Sequence, residues 1–326
     1  MNKASSVLRN KKRELVVVIA IILMTIIFTS LNTTYFTWNN FLSIMQQATI
    51  NGVLAVGMTF AIISGGIDLS IGCTFAIVIV TVGKMTASGI NPFLAIIIGV
   101  VLGFAMGAIN GILITKMQLQ PFIATLGTMS VYRGIAYVIT GGWPVLNIPD
   151  SYRSLLNTKV LNGISVYMFL FVIIAVIASV LLSKTKFGNY LYAVGGNEEA
   201  AKLSGVNVVK TKIVAYAVTG ACAAFAGMIM LASLGTGEPT AGTGYELDAI
   251  AAAAIGGTRM AGGKGTILGT VLGALLLAAL KVGMIVLNVD TFWQYIVTGI
   301  IIIIAAYFEF IQDRISSMFA KKKVSK

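Results

Sequence analysis

Acidic and amide side chains that could act on a solute lie inside long apolar stretches of this sequence. Glu246 and Asp248 precede a short apolar segment, and Asp68 sits among glycines and a serine. Four amides share this setting: Gln46, Gln47, Asn51 and Asn110. At membrane depth such groups must face protein or water rather than lipid, so they could line a weakly binding path for a hydroxylated solute. Packing between helices explains the four amides equally well.

Each acid has a second interpretation. Asp68 could bind a cation or a proton, but capping of a helix that begins one or two residues later is favoured. Glu246 and Asp248 could line the outer mouth of the path, and capping of the next helix is again favoured. Arg133 and Lys281 lie within or near the ends of apolar spans, and we expect their charged groups to reach the membrane surface along their alkyl stems.

Catalytic chemistry finds little support in the composition. The chain has no histidine and two cysteines, Cys73 and Cys222, both within apolar runs, which indicates no metal cluster and no disulfide framework. The phosphate-binding motif GxxxxGKS/T does not occur, and the stretch GGKGT at 262–266 resembles it only superficially. We therefore expect no catalytic residue and no directly bound cofactor. Any ATP would be hydrolysed by a partner.

The apolar composition and the length of the apolar runs place the chain in a lipid bilayer. Of its 326 residues, 57% are hydrophobic and 10% are charged, against about a quarter charged in soluble domains. Several runs exceed the roughly 20 residues that cross a bilayer as a helix. The sequence therefore predicts an all-α polytopic membrane protein in which 1–326 form one transmembrane domain. The net charge of +12 does not indicate nucleic acid, because most Lys and Arg lie in short loops and tails.

Hydropathy predicts about ten transmembrane helices. They are 15–31, 41–63, a third that follows the loop SGGIDLSIG (64–72) and ends near 87, 92–115, 121–140, 164–182, 211–234, 246–256, 266–287 and 292–310. The eighth is too short to cross alone unless it is tilted or broken. Lys and Arg concentrate in 1–14, 183–212 and 311–326, which predicts that these segments and both termini are cytoplasmic. The loop 141–163 and the glycine-rich stretch after 234 are predicted to lie outside.

Glycine positions recur at an offset of 170 residues. Gly57-Met58 corresponds to Gly227-Met228, and the GxVLG stretch at 99–103 corresponds to the one at 269–273. The offset maps spans two to five onto spans seven to ten. Because the shift is by five spans, the two sets would have opposite orientation, so the sequence predicts an inverted-topology repeat.

The segment 183–212 is the one long polar and charged stretch between apolar spans. Its centre predicts a short helix that starts after the N-cap Asn197, has two acids in its first turn and stops at Ser204-Gly205. The small apolar face of this helix would consist of Ala200, Ala201 and Leu203. A charged helix held outside the membrane between two spans is suited to being moved by a partner.

Five motifs of the chain carry a family resemblance. They are SGGIDLSIG, QPFIATLGT, KTKFGNYLYAVGGNEEAAKLSGVNV, YELDAIAAAAIGGT and GGKGTILGTVLGALL. Together they resemble the permease subunits of bacterial ATP-binding-cassette importers for monosaccharides of the ribose, xylose and galactose type. The resemblance covers about 41–307.

The resemblance implies a transport subunit of the bacterial cell membrane that has no ATPase site of its own. Its partners would be a cytoplasmic ATP-binding-cassette ATPase, an extracytoplasmic sugar-binding protein and a second permease copy. The residues of the coupling helix, which would sit in a groove of the ATPase, are Gly196, Asn197, Glu198, Glu199, Ala200, Leu203, Ser204 and Gly205. The expected solute is ribose, with galactose or xylose as alternatives.

Three other classes of protein are weighed against this expectation. An ion-coupled secondary transporter of a small polar solute would use Asp68 and Glu238, and the sparse charge inside the spans argues against it. A passive channel could form from glycine-rich packed spans, and uptake against a gradient would exclude it. An intramembrane enzyme would need a histidine, Ser-Lys or paired-Asp arrangement, which the apolar spans lack.

Overall fold

The fold is a bundle of apolar helices. The computed structural model describes residues 3–304 and 307, with side chains from residue 14 onward. The helices are α1 (Lys3–Leu31), α2 (Trp38–Ile63), α3 (Ile71–Ala87), α4 (Pro92–Thr115), α5 (Pro121–Thr140), α6 (Asp150–Asn157), α7 (Val166–Lys184), α8 (Lys186–Gly196), α9 (Glu198–Leu203), α10 (Val208–Leu234), α11 (Tyr245–Ile255), α12 (Ile267–Val286) and α13 (Phe292–Ile304). A 3-10 helix (Thr33–Phe36) follows α1, and strands β1 (Lys159–Val160) and β2 (Ile164–Ser165) pair antiparallel between α6 and α7. The predicted tail 311–326 lies outside the described residues.

Seven of the described helices are long and apolar enough to cross a membrane: α1, α2, α4, α5, α7, α10 and α12. α3 and α13 are apolar but shorter, and α11 has 11 residues. The prediction of an all-α polytopic membrane protein is confirmed. A helix lies at each of the ten predicted spans, but α11 would rise only about 16 Å and cannot cross a bilayer alone.

Helix boundaries follow local signals in the sequence. α4 and α5 begin with Pro92 and Pro121, at the position where a missing backbone N–H costs no hydrogen bond. Asn91 caps α4, because its side-chain oxygen accepts a hydrogen bond from the Phe93 amide at 2.9 Å. α1 differs from its prediction: it begins at Lys3, so most of the predicted tail 1–14 continues the first helix.

The segment 183–212 contains more helix than predicted. α8 follows α7 after Thr185, whose side chain accepts a hydrogen bond from the Gly188 amide and caps the new helix. Leu191 and Val194 lie three residues apart on one face of α8, and both are buried. The prediction missed α8 because three of its 11 residues are glycines, which lower helix propensity.

The predicted loop 141–163 is also structured. α6 packs against α10, where Tyr152 donates a hydrogen bond to the Met228 carbonyl at 3.1 Å. Val145 forms a backbone bridge with Gly237, in the loop that follows α10. We call the end of the bundle with α6 and the two strands the α6 end. The opposite end, with α8 and α9, is the α9 end.

α2 is the central helix of the bundle. All residues in 51–63 are buried, and α2 packs against α7, α10, α11 and α12. α10 in turn packs against α2, α3 and α4. The predicted repeat relates the set α2 to α5 to the set α10 to α13. α2 contacts α11 and α12, the second and third helices of the other set, and α10 contacts α3 and α4 in the same way. An inverted repeat of α2 to α5 and α10 to α13 would produce this reciprocal pairing, and the repeat stays a prediction.

Glycines bring α4 and α10 into backbone contact. A Cβ atom on Gly107 would lie 2.0 Å from the Tyr216 carbonyl oxygen. One on Gly103 would lie 2.5 Å from the carbonyl oxygen of Gly220, and one on Gly220 would lie 2.1 Å from that of Gly103. No side chain fits at these positions, so the contact is specific to glycine.

α3 and α11 begin inside the bundle rather than at its ends. A Cβ on Gly72 would lie 2.3 Å from the Gly242 carbonyl oxygen, and one on Gly242 would lie 2.4 Å from that of Gly72. The starts of the two helices therefore touch, and the loops 64–70 and 235–244 reach this point from opposite ends. The second half of the stretch after 234 therefore descends into the bundle, and its location on the outer side of the membrane stays a prediction.

Gly107→Ala should destabilise the contact between α4 and α10. The added methyl group would lie 2.0 Å from a backbone oxygen, so we expect a loss of about 2 kcal/mol. The apparent melting temperature of the detergent-solubilised protein measures this loss. Gly299→Ala, on α13, is the matched control, because a Cβ there meets nothing within 4 Å. Equal melting temperatures for the two variants would contradict the packing.

Candidate functional site

α9 is a short, capped helix on the surface of the α9 end. The Asn197 side-chain oxygen accepts a hydrogen bond from the Ala200 amide at 2.9 Å, and Glu198 and Glu199 occupy the first turn. The helix ends at Ser204, and Gly205 follows with a φ of 82°, which favours glycine. The short helix therefore lies where Asn197 and the two acids predicted it.

One side of α9 is anchored and the other is free. Ala201 is buried, so it does not belong to the exposed face to which the sequence assigned it. Leu203 is 88% exposed, an unusual exposure for leucine outside a lipid-facing helix. Glu198 forms an ion pair with Lys212 of α10 at 2.5 Å, whereas Glu199 forms no ion pair within the described chain. The outer face of α9 thus presents an apolar tip and a carboxylate.

Asp68 organises the loop that leads into α3. Its Oδ1 accepts hydrogen bonds from the Ser70 amide at 2.9 Å and from the Ser70 hydroxyl at 2.7 Å. The Asn110 amide, on α4, donates to the same oxygen at 3.2 Å. The structure therefore joins two of the candidate path residues, and Asp68 has no Lys or Arg within ion-pair distance in the described part of the chain.

The amides of α2 fall into two different settings. Gln46 donates a hydrogen bond to the Ser233 hydroxyl at 2.9 Å and so joins α2 to α10, while Gln47 is partly buried. Asn51 is 2% exposed, and neither its amide nitrogen nor its oxygen has a hydrogen-bond partner in the described structure. An unpaired amide in a protein interior costs free energy unless water or a ligand satisfies it.

The two acids of α11 lie in its first turn and are both buried. Asp248 forms an ion pair with Lys281 of α12 at 2.5 Å, and these side chains are 6% and 13% exposed. Glu246 lies beside Gly72, since a Cβ there would be 2.8 Å from its Oε2. The expectation that Lys281 extends to the membrane surface is wrong, because a buried carboxylate holds its charge inside the bundle.

Arg133 fixes the descending loop 235–244. Its Nη1 donates hydrogen bonds to the carbonyls of Pro239 at 2.5 Å and Ala241 at 2.9 Å. The expectation that Arg133 extends to the membrane surface is therefore also wrong. Sequence reasoning missed both roles, although a single cation in the middle of an apolar helix was a signal that a partner exists.

These features define a class of protein. A polytopic bundle with paired polar groups in its interior, two helices that start at mid-bundle and a short exposed helix at one end is the architecture of an integral membrane transport protein. The chain belongs to the family described as branched-chain amino acid transport system / permease component, whose sequence profile matches residues 40–306.

Individual relatives are similar along most of their length. A ribose import permease protein of Bacillus subtilis is 43% identical over 88% of this chain and 89% of the relative. A D-allose transport system permease protein of Escherichia coli is 40% identical over 86% of each chain. A xylose transport system permease protein of Haemophilus influenzae is 35% identical over 84% of this chain and 90% of the relative. No solved structure matches the chain.

Removal of one charge from the Asp248–Lys281 pair should destabilise the protein more than removal of both charges. We expect Asp248→Asn and Lys281→Met each to lose about 3 kcal/mol, because each leaves an unpaired polar or charged group in the interior. The double variant should lose less than the sum of the two. Melting temperatures of the four proteins in detergent give the coupling energy. Additive losses would show that the two side chains do not interact.

Proposed function

We propose that this chain is the membrane-spanning subunit of an ATP-driven importer of a monosaccharide, with ribose as the first candidate. The relatives named for ribose, allose and xylose transport support the solute class, because they match this chain over nearly its whole length. The 43% identity to a ribose permease favours ribose. The chain itself is not an enzyme, and a separate ATPase hydrolyses the ATP.

The exposed helix α9 is the observation that supports coupling to such an ATPase. Its face offers Leu203 for an apolar groove and Glu199 for a basic or hydrogen-bonding partner. Its other face is tied to the bundle through Ala201 and the Glu198–Lys212 pair. A movement imposed on α9 therefore acts on the transmembrane helices. The proposed coupling surface is Gly196, Asn197, Glu198, Glu199, Ala200, Leu203, Ser204 and Gly205.

The distribution of lysine supports a cytoplasmic position for the α9 end. Exposed lysines cluster there, including Lys184, Lys202 and Lys210, and positive residues accumulate on the cytoplasmic side of membrane proteins. The α6 end then faces outward in the bacterial cytoplasmic membrane. An extracytoplasmic sugar-binding protein would deliver the solute to that end.

The exposed apolar face of α5 is the proposed contact with a second permease copy. Val131 and Val138 lie on this face and are 57% and 83% exposed. Arg133 lies on the other side of α5, where its Nη1 donates hydrogen bonds to the carbonyls of Pro239 and Ala241. The contact between the two copies would therefore be apolar, and we place the second copy against this face of α5.

The path is proposed to bind the solute weakly. The candidates are Gln46, Gln47, Asn51, Asp68, Asn110, Glu246 and Asp248. Four of them, Gln46, Asp68, Asn110 and Asp248, bond to other side chains of the protein. Asn51 differs from these four, because both of its polar atoms lack partners. It could accept a water or a solute hydroxyl when the helices around α2 separate. Affinity for the sugar would reside in the binding protein, so that the solute is released quickly.

Glu199→Arg should abolish uptake without unfolding the permease. The reversed charge lies on the exposed face of α9, so we expect uptake to fall at least about tenfold and the ATPase to be lost from the purified complex. Uptake into vesicles and mass-spectrometric identification of co-purifying chains measure the two effects. Lys210→Glu reverses an exposed charge outside α9 and is the control. Normal uptake by Glu199→Arg at the wild-type protein level would refute the coupling surface.

Competition between sugars tests the proposed solute. In vesicles that contain the complete importer, excess unlabelled ribose should reduce uptake of labelled ribose at least about tenfold, and equal xylose should reduce it far less. Stronger competition by allose or xylose would reassign the sugar within the same function. ATP-independent uptake that a protonophore abolishes would instead identify an ion-coupled transporter.

A further inference from the structure

Three segments of the α9 end meet backbone to backbone. They are the end of α2, the end of α8 and the loop between α11 and α12. Their contacting residues, which we call the glycine junction, are Ile63, Gly65, Gly195, Gly196, Gly262 and Gly263. The segments are far apart in the sequence, and α9 begins two residues after Gly196.

Gly195 lies directly against the end of α2. A Cβ atom on Gly195 would be 1.7 Å from the Ile63 carbonyl oxygen and 2.7 Å from the Gly263 nitrogen. The Gly263 amide donates a hydrogen bond of 2.9 Å to the same Ile63 oxygen. One carbonyl group of α2 is thus held between α8 and the loop, and only a hydrogen atom fits in the gap.

The loop from α11 to α12 also needs glycine for its conformation. Gly262 and Gly263 have φ values of 87° and 72°, which side chains rarely adopt. A Cβ on Gly262 would lie 2.9 Å from the Gly195 oxygen and the Gly65 Cα, and one on Gly263 would lie 2.7 Å from the Gly196 Cα. The loop is therefore shaped to fit the end of α8.

Two side chains of α8 extend the contact on either side of the junction. The Tyr192 hydroxyl donates a hydrogen bond to the Gly265 carbonyl at 2.7 Å. Burial raises the pKa of Tyr192 to about 12, so the hydroxyl keeps its proton. Phe187 stacks on Phe60 of α2 with ring centroids 6.3 Å apart. α8 is thereby fixed to both α2 and the loop.

The groups beyond the junction lead into the bundle. α11 runs from the loop to the contact between Gly72 and Gly242, and the Asp248–Lys281 pair joins it to α12. Thr270 of α12 hydrogen-bonds Thr59 of α2 at 2.7 Å. Side-chain contacts therefore link α12 to both α11 and α2 behind the junction.

We propose that the glycine junction is the point at which displacement of α9 passes to α2 and to the pair α11 and α12, with Gly195, Gly263 and Tyr192 as positioning residues. The proposal rests on the importer function above. These three positioning residues act through geometry, because they lie outside both the proposed coupling surface and the proposed solute path. Substitution of any of these positioning residues should therefore uncouple uptake from ATP hydrolysis rather than stop hydrolysis.

The test measures sugar uptake and ATP hydrolysis together, in vesicles that contain the permease, its ATPase and the sugar-loaded binding protein. For Gly195→Ala we expect hydrolysis within about twofold of wild type and uptake per ATP at least about tenfold lower. Tyr192→Phe removes one hydrogen bond without adding volume, and should lower uptake per ATP about threefold. Gly299→Ala, on α13, should leave the ratio unchanged, because a Cβ there meets nothing within 4 Å.

Equal losses of uptake and hydrolysis in these variants would show a purely structural role and overturn the proposal, as would an unchanged ratio in Tyr192→Phe. If Gly195→Ala fails to assemble, the uptake per ATP of Tyr192→Phe decides whether the proposal stands. Failure of the importer function itself has a different result, namely no ATP-dependent uptake by the wild-type assembly.

Discussion

Close contact between helix backbones, made through glycine, is the constraint on which this structure depends. Helices inside a lipid bilayer gain little from burying apolar surface against one another, so close packing must hold them together. At Gly107 and at Gly220, a single methyl group would overlap with a carbonyl oxygen of the facing helix. The same type of contact joins α3 to α11 at mid-bundle and α8 to α2 at the α9 end.

Charge in the interior is arranged to suit this packing. Asp248 and Lys281 neutralise each other between α11 and α12, and Arg133 donates hydrogen bonds to the loop that descends to α11. These groups hold the short helix α11, which is too short to be fixed by the membrane alone. Interior charges that stabilise helices in this way leave few groups free to bind a solute, which agrees with a path of low affinity.

Sequence reasoning succeeded where the signal was local. Apolar runs located the long helices, and Asn197 with the acids after it located α9, because a cap and a helix dipole act within one turn. It failed where distant segments meet. α8 is rich in glycine, and only its fit against Ile63 and Gly263 explains why those glycines are present. Lys281 and its partner Asp248 are 33 positions apart, and Arg133 is more than 100 positions from the loop that it contacts. A single sequence does not show which distant residues form such pairs.

The central claim is that α8 and the loop between α11 and α12 move as one body when the transporter changes state. Pulsed electron paramagnetic resonance on spin labels at Ala193→Cys and Ala261→Cys, both exposed positions, measures this directly in the assembled transporter with and without ATP. The native cysteines are buried and leave the engineered sites to be labelled. The account predicts an unchanged distance for this pair, and a change of about 3 Å or more between Ala193→Cys and Leu126→Cys on α5. A distance from 193 to 261 that changes with ATP while that from 193 to 126 stays constant would contradict it.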